Sequence, residues 1–168
     1  MRPERRAGAA SSQCGRMNPV VIDTNIALDL LLFDDAASRP LAAALAAGEL
    51  RWIASTAMRD ELARVLGYPL MVARLARTGK HASGVLAAFD AWVSPSDAAA
   101  RAPCRCADPD DQIFIDLAVA HRALLLSKDR AVRSMKKRLA ALGVPVLAAF
   151  SSAAGPSAPT VPDRAGPS

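Results

Sequence analysis

Histidine and cysteine are scarce in this chain, and their scarcity excludes several kinds of site. Two histidines and three cysteines occur among 168 residues. Neither histidine has a partner at the spacing of a zinc site, so zinc is not expected. Three cysteines, one of them near the N-terminus, do not make a disulfide framework. We therefore expect a reducing, cytoplasmic setting.

Long apolar runs and nucleotide-binding loops are also missing. No stretch of about 18 uninterrupted apolar residues occurs, so we expect no transmembrane helix and no role at a membrane. The glycine-rich loops that bind ATP or dinucleotides are absent as well. What remains is a chain with 52% hydrophobic residues and a net charge of +5. That is enough apolar material for one packed domain.

The two ends of the chain differ in composition from its middle. Residues 1–16 are rich in Arg, Ala, Ser and Gly, and residues 151–168 are rich in Ser, Ala, Gly and Pro. Neither end shows hydrophobic periodicity. We therefore predict disordered extensions at both ends and one folded domain at residues 17–150, with Met17 as a candidate start.

Within that domain, short apolar runs alternate with helical patterns. Val20–Ile22, Trp52–Ala54 and Leu124–Ser127 are typical of buried strands. The alternation predicts an α/β fold with a mostly parallel sheet and helices on both faces. The predicted helices are 25–32, 36–47, 56–66, 71–77, 81–92, 110–121 and 131–142, and further short strands are expected near residue 93 and at 144–147.

Four acidic residues lie at the expected junctions of strands and helices. Asp23 and Asp129 each follow a strand, Asp111 opens an apolar helix, and Glu61 lies inside the helix after the second strand. Because the carboxyl ends of parallel strands meet at one edge of a sheet, we expect these carboxylates to converge. Such a cluster suits a hard divalent cation, Mg²⁺ or Mn²⁺. Helix capping is the alternative for each acid taken alone, but it does not explain Glu61.

Four short motifs occur in a fixed order along the chain: Val21-Ile22-Asp23-Thr24-Asn25, Glu61-Leu62, Asp108-Pro109-Asp110-Asp111 and Ser127-Lys128-Asp129. In this order and spacing they resemble the PIN domain family, in its subgroup of toxins from toxin–antitoxin systems. The resemblance covers roughly residues 18–150. It implies a three-layer α/β/α sandwich that cleaves RNA as a metal-dependent endoribonuclease. It also implies Mg²⁺ or Mn²⁺ as cofactor and a cognate antitoxin as partner, and it leaves a homodimer open.

The resemblance also implies roles for individual residues. Four acids are expected to be both catalytic and metal-binding: Asp23, Glu61, Asp111 and Asp129. Three further residues are expected to contact those ligands without binding the metal directly: Asn25, Ser127 and Asp108. Asp108 and Asp110 lie close to Asp111 in the sequence, and spacing alone favours Asp111 as the ligand.

Basic residues follow the last acidic motif. Arg130, Arg133 and Lys137 share one face of the predicted helix at spacings of three and four. We expect them, together with Lys128, to hold the RNA backbone beside the metal. An ordinary solvated helix face is the alternative for this group.

Two other functions stay open. A PIN-like module that binds RNA or protein without catalysis would share the fold, although it would not need all four acids. A metal-dependent nuclease that acts on DNA would use the same phosphodiester chemistry. A neighbouring antitoxin-like reading frame would be the most useful further observation.

Overall fold

The computed structural model describes residues 17–151, and the predictions of disorder for residues 1–16 and for the tail after Ser151 lie outside this range. The strands are β1 (Asn18–Ile22), β2 (Leu50–Ala54), β3 (Ser94–Pro95), β4 (Leu124–Leu126) and β5 (Val146–Leu147). The helices are α1 (Thr24–Leu31), α2 (Arg39–Ala46), α3 (Thr56–Leu66), α4 (Pro69–Thr78), α5 (Ala82–Trp92), α6 (Gln112–His121), α7 (Arg130–Ser134) and α8 (Lys136–Ala141), with 3₁₀ turns at Ala36–Ser38 and Pro109–Asp111.

The five strands form one sheet in the order β3-β2-β1-β4-β5, and every pairing is parallel. The chain moves outward from β1 to β3 and then crosses to the other side of β1 at β4. The strand order therefore reverses between β1 and β4, and in open α/β sheets the carboxyl ends of the strands at such a reversal are the usual place of a binding site. The predicted α/β/α sandwich with a mostly parallel sheet is confirmed.

The core lies between this sheet and the helices. Val20 and Val21 of β1 and Leu125 of β4 are fully buried, as the run of apolar residues in each strand predicts for a sheet covered on both faces. Trp52 of β2 packs edge-on against Phe89 of α5, with 5.1 Å between the ring centroids. Within residues 17–151, no helix combines the length and the apolar character needed to cross a bilayer.

The prediction of one helix over residues 36–47 is wrong in its first turn. Asp35 accepts a hydrogen bond from the N–H of Ala37 at 3.2 Å and starts a 3₁₀ turn. The α-helix begins only at Arg39, with Pro40 next in the chain. Proline fits the first turn of a helix because the N–H that it lacks has no partner there.

The prediction of one helix over residues 131–142 is also wrong, because the chain breaks into α7 and α8 at Met135. In a continuous helix the N–H of Met135 would bond to the carbonyl of Ala131. The hydroxyl of Ser134 donates to that carbonyl at 2.7 Å, and the N–H of Met135 bonds to the carbonyl of Val132 at 3.0 Å instead. A side-chain hydroxyl that competes with the backbone in this way favours a break.

Candidate metal centre

Asp23 lies at the carboxyl end of β1, where pairing with β4 fixes its backbone. Its N–H donates to the carbonyl of Leu126 at 2.9 Å, and the residue is only 5% exposed. Ser127 follows β4 directly, and its Oγ donates to Oδ2 of Asp23 at 2.7 Å. The other carboxylate oxygen accepts the N–H of Asn25 at 3.4 Å, so Asp23 also caps α1.

Ser127 holds Asp129 as well. The N–H of Asp129 donates to Oγ of Ser127 at 3.1 Å. Oδ1 of Asp129 accepts the N–H of Ala131 at 2.7 Å and thereby caps α7. One buried hydroxyl therefore connects the acid after β1 with the acid after β4.

The loop before α6 supplies two more carboxylates. Oδ1 of Asp108 accepts the N–H of Asp110 at 3.0 Å and caps the 3₁₀ turn Pro109–Asp111. That turn places Asp111 at the start of α6 with 9% exposure. One oxygen from each of Asp108, Asp111 and Asp129 lies within 4.8 Å of the other two.

Burial and crowding change the proton affinity of these acids. Burial first, and then the charges of Asp129, Asp23 and Asp108, raise the pKa of Asp111 to about 7. Burial also raises the pKa of Asp23, although the hydrogen bond from Ser127 acts in the opposite direction. The cluster thus carries a cost that a bound cation would remove.

Helix capping and clustering coexist in these residues. Asp23, Asp108 and Asp129 each use an oxygen as a cap, as the alternative explanation of the acids predicts. Capping does not account for Oδ2 of Asp111, which is buried and has no hydrogen-bond partner among the described residues. A buried carboxylate oxygen without a partner, beside two further carboxylates, matches the oxygen ligands of a hard divalent cation. The residues present therefore fit such an ion.

Glu61 lies outside this cluster. It is in the middle of α3, which packs against α1 and α6, and its carboxylate forms an ion pair with Arg64 one turn later. Within residues 17–151, the clustered acids include Asp129, which was expected to be a ligand. They also include Asp108, which was expected only to contact the ligands. The role of Glu61 as a ligand stays a prediction.

Two predicted residues near Asp23 have other surroundings. The side chain of Asn25 is exposed at the start of α1, and the contact of Asn25 with Asp23 runs through its backbone N–H. Lys128 forms an ion pair with Asp29 of α1. This pair links α1 to the segment after β4, so Lys128 would have to leave Asp29 to contact a phosphate.

The basic residues after Asp129 are divided by the break at Met135. Arg130 and Arg133 lie on α7 and line an open depression of about 460 Å³ together with Lys136. Lys137 is exposed on α8 but is not among the residues that line this depression. The prediction that one continuous helix presents all three basic residues on one face is therefore wrong.

Two polar residues of α6 were missed by the sequence reasoning. Gln112 and Asp116 form a hydrogen bond of 2.7 Å with each other and also contact the loop before α6. Their spacing of four on a predicted helix was the available signal, because such Gln–Asp pairs lie on one helix face.

The fold and the site together define an α/β protein with a carboxylate cluster at the switch point of a parallel sheet. The PIN domain family matches residues 19–131, so this chain belongs to that family. The resemblance seen in the sequence is confirmed. No curated protein sequence matches the chain.

Among solved structures, the fold is similar to a chain in the crystal structure of VapBC2 from Rickettsia felis bound to a DNA fragment from their promoter. The TM-score is 0.54, and the match covers 77% of this chain and 97% of that chain. The sequences are 12% identical, so this likeness shows a shared fold.

Replacing Ser127 tests whether its hydroxyl holds the site together. Ser127→Ala should lower the free energy of unfolding by about 1–3 kcal/mol, because the buried carboxylate of Asp23 loses its hydrogen-bond donor. The matched control is Ser83→Ala, which removes an exposed hydroxyl on α5 and should change stability by less than about 0.5 kcal/mol. Urea unfolding in EDTA measures both. Equal losses in the two variants would contradict this role for Ser127.

The raised pKa of Asp111 predicts a specific pH dependence of stability. Between about pH 4, the ordinary value for Asp, and about pH 7, the folded chain keeps a proton that the unfolded chain has lost. The free energy of unfolding should therefore fall as pH rises through this window, by up to about 1.4 kcal/mol per pH unit for one carboxyl group. The Asp111→Asn variant, which does not ionise, should show a shallower fall in EDTA. A slope identical to that of the parent would contradict the assignment, and Asp110→Asn serves as the control.

Proposed function

We propose that this protein is a divalent-metal-dependent endoribonuclease that uses Mg²⁺ or Mn²⁺, and that it is the toxin of a toxin–antitoxin pair in the cytoplasm. The observation that carries the proposal is the cluster of Asp108, Asp111 and Asp129, whose oxygens lie within 4.8 Å of one another. The unpartnered buried oxygen of Asp111 adds to it. Membership of the PIN domain family supports a nuclease.

The residues of the cluster would share the work of holding the ion. A bound divalent cation supplies Lewis-acid activation of water and neutralises charge on a phosphoryl group. Asp108, Asp111 and Asp129 would hold it, and Asp23, fixed by Ser127, would add its charge from the end of β1. Asp111 must lose its proton to act as a ligand. Because its pKa is raised to about 7, we expect the site to bind the cation poorly in acid.

Glu61 completes the proposed set of acids. Its ion pair with Arg64 is formed by side chains alone, and the Arg64 side chain is 54% exposed. A rotation of the Glu61 side chain would exchange that cation for the metal or for a water molecule beside it. Surface ion pairs of this kind contribute little stability, so the exchange costs little.

RNA is the proposed substrate because the sequence motifs resemble those of PIN-type toxins, and the basic residues near Asp129 are the proposed phosphate contacts. Arg130 and Arg133 follow Asp129 on α7, and they line a depression beside β5. Lys128 and Lys137 are the further cations of the proposed RNA path, and Asn25 lies exposed at the start of α1. Contacts of this kind bind phosphates without reading the sequence.

An antitoxin is the proposed protein partner. The similar fold in VapBC2 comes from a structure bound to a DNA fragment from their promoter, which supports a paired protein for this chain as well. The acidic cluster would offer such a partner a place for a cationic side chain. A homodimer stays open beside it.

Metal-dependent cleavage is the direct test. The purified protein should degrade single-stranded RNA with Mg²⁺ or Mn²⁺ and stop in EDTA. Changing a residue that hydrogen-bonds to a metal ligand typically lowers activity by roughly 10–100-fold. Because Asp111 is a proposed ligand itself, Asp111→Asn should lower the rate by more than that. Asp110→Asn is the matched control, because it makes the same change at an exposed carboxylate one residue away and should keep most of the activity.

Three outcomes of this experiment would contradict the proposal. Full cleavage by Asp111→Asn would assign the activity to another site or to a contaminant. RNA binding without cleavage in either metal would indicate a binding module. Cleavage of single-stranded DNA in preference to RNA would indicate a deoxyribonuclease.

The salt dependence of RNA binding tests the path along α7. Changing Arg130 and Arg133 to Gln in an Asp111→Asn background should reduce the slope of log affinity against log salt by about 1.4, because two fewer counterion sites are released from a single strand. The control pair is Arg51→Gln and Arg77→Gln, which removes the same charge from exposed positions on β2 and α4. Fluorescence anisotropy measures both slopes. An equal change in the two pairs would leave only a non-specific charge effect.

A further inference from the structure

The segment that leads to Asp108 has almost no backbone support of its own. Residues 96–108 connect β3 to α6 and contain no helix or strand. Within the part of the chain that the structure describes, no hydrogen bond between backbone groups involves residues 97–107. The segment nevertheless ends at a carboxylate that lies within 4.8 Å of two others. Something other than its backbone has to fix its path.

Side chains of α6 provide that support. Oε1 of Gln112 accepts the N–H of Cys106 at 2.7 Å, and Nε2 of Gln112 donates to the carbonyl of Cys104 at 3.1 Å. Oδ1 of Asp116 accepts the N–H of Ala102 at 2.8 Å. Gln112 and Asp116, which we call the α6 clamp, therefore hold three alternate residues of the segment.

The two side chains of the α6 clamp also bond to each other. Nε2 of Gln112 also donates to Oδ1 of Asp116 at 2.7 Å, so both amide hydrogens of Gln112 have acceptors within the protein. No donor of this side chain is left for a substrate. Asp116 is 9% exposed, and a buried carboxylate without these donors would be costly. The hydrogen bonds of the pair therefore go to the segment and to each other.

The position of the clamp relates it to the acidic cluster. Gln112 follows Asp111 directly, in the first turn of α6. The helix that begins directly after Asp111 therefore also holds the backbone two residues before Asp108. The turn itself holds Asp108 through two bonds, from the N–H of Asp111 to its carbonyl at 3.3 Å and from the N–H of Asp110 to its Oδ1 at 3.0 Å. The first of these is long, so the path by which the segment enters the turn also affects where the Asp108 carboxylate lies.

We propose that Gln112, braced by Asp116, is a positioning residue that directs the carboxylate of Asp108 into the metal site. This inference rests on the proposed function, since it concerns the same cation. Removing a residue that hydrogen-bonds to a metal ligand typically weakens metal binding by about 10–100-fold. The α6 clamp contacts the loop before Asp108 and not Asp108 itself. Its effect on cation binding is therefore expected to depend on Asp108.

A double-mutant cycle with Mn²⁺ as the probe tests this inference. Binding is followed by the electron paramagnetic resonance signal of free Mn²⁺, with no substrate present. Gln112→Ala should weaken Mn²⁺ binding by about tenfold in the parent chain. In an Asp108→Asn background the same change should have less than about a twofold effect, because the ligand through which it acts has already lost its charge. Asp97→Ala, at an exposed position of the same loop, is the control and should leave affinity unchanged.

A second variant and a second measurement keep the test decisive. Gln112→Met keeps roughly the size of the side chain and adds no charge, but it loses the acceptor and both donors, and it replaces Gln112→Ala in the cycle if that variant does not fold. Hydrogen exchange of the amide of Cys106, which loses its acceptor, should speed up in either variant without any metal.

The outcomes separate the clamp from the proposed function. Equal losses of Mn²⁺ affinity with and without Asp108, or an unchanged affinity in a folded Gln112 variant, would contradict the positioning role of Gln112. Neither result would contradict the proposed metal site. A parent chain that binds no Mn²⁺ would overturn both. A loss that disappears in the Asp108→Asn background supports the clamp.

Discussion

The parallel pairing of β1 with β4 is the constraint on which the rest of the site depends. Ile22 lies opposite Leu126 in this pairing, so the next residue of each strand, Asp23 and Ser127, meet at the edge of the sheet. A slip of one residue would turn every side chain of β4 to the opposite face. Because Leu125 and Leu126 are fully buried, such a slip would also disrupt the core. The hydrophobic register therefore fixes the chemistry at the strand ends.

Placing acids together opposes folding, and the structure moderates this cost in three ways. Ser127 donates to the most buried carboxylate, helix N-termini face Asp23 and Asp129, and Asp111 takes up a proton near neutral pH. None of these removes the repulsion completely. A site that is costly when empty and relieved by a cation is the expected compromise between stability and function.

The sheet edge and most of its acids could be predicted from the sequence because each signal is local. A buried apolar run followed by Asp marks Asp23, and the same pattern with an intervening Ser and Lys marks Asp129. The strong hydrophobic patterns of the strands determine the fold class in the same way. These features need only one strand and its end to be recognised.

Other features of the site and of the helices near it could not be predicted from the sequence, because they depend on which contacts individual side chains make. The place of Asp108 depends on a 3₁₀ turn and on the loop before it. The partner of the Glu61 carboxylate depends on a competition between Arg64 and the proposed metal site. The break at Met135 depends on one hydroxyl, that of Ser134, competing for a carbonyl. Propensity and spacing do not resolve such competitions.

The hydrogen bond between Ser127 and Asp23 joins residues 104 positions apart in the chain. During synthesis, the first acid of the site leaves the ribosome long before the hydroxyl that orients it. Contacts of such long sequence separation form late, since the entropy of closing the intervening loop must be offset first. A nascent chain that ends before β4 would thus contain Asp23 and Asp111 without Ser127 and Asp129. The order of the motifs along the polypeptide delays assembly of the centre until nearly all of the domain has been made.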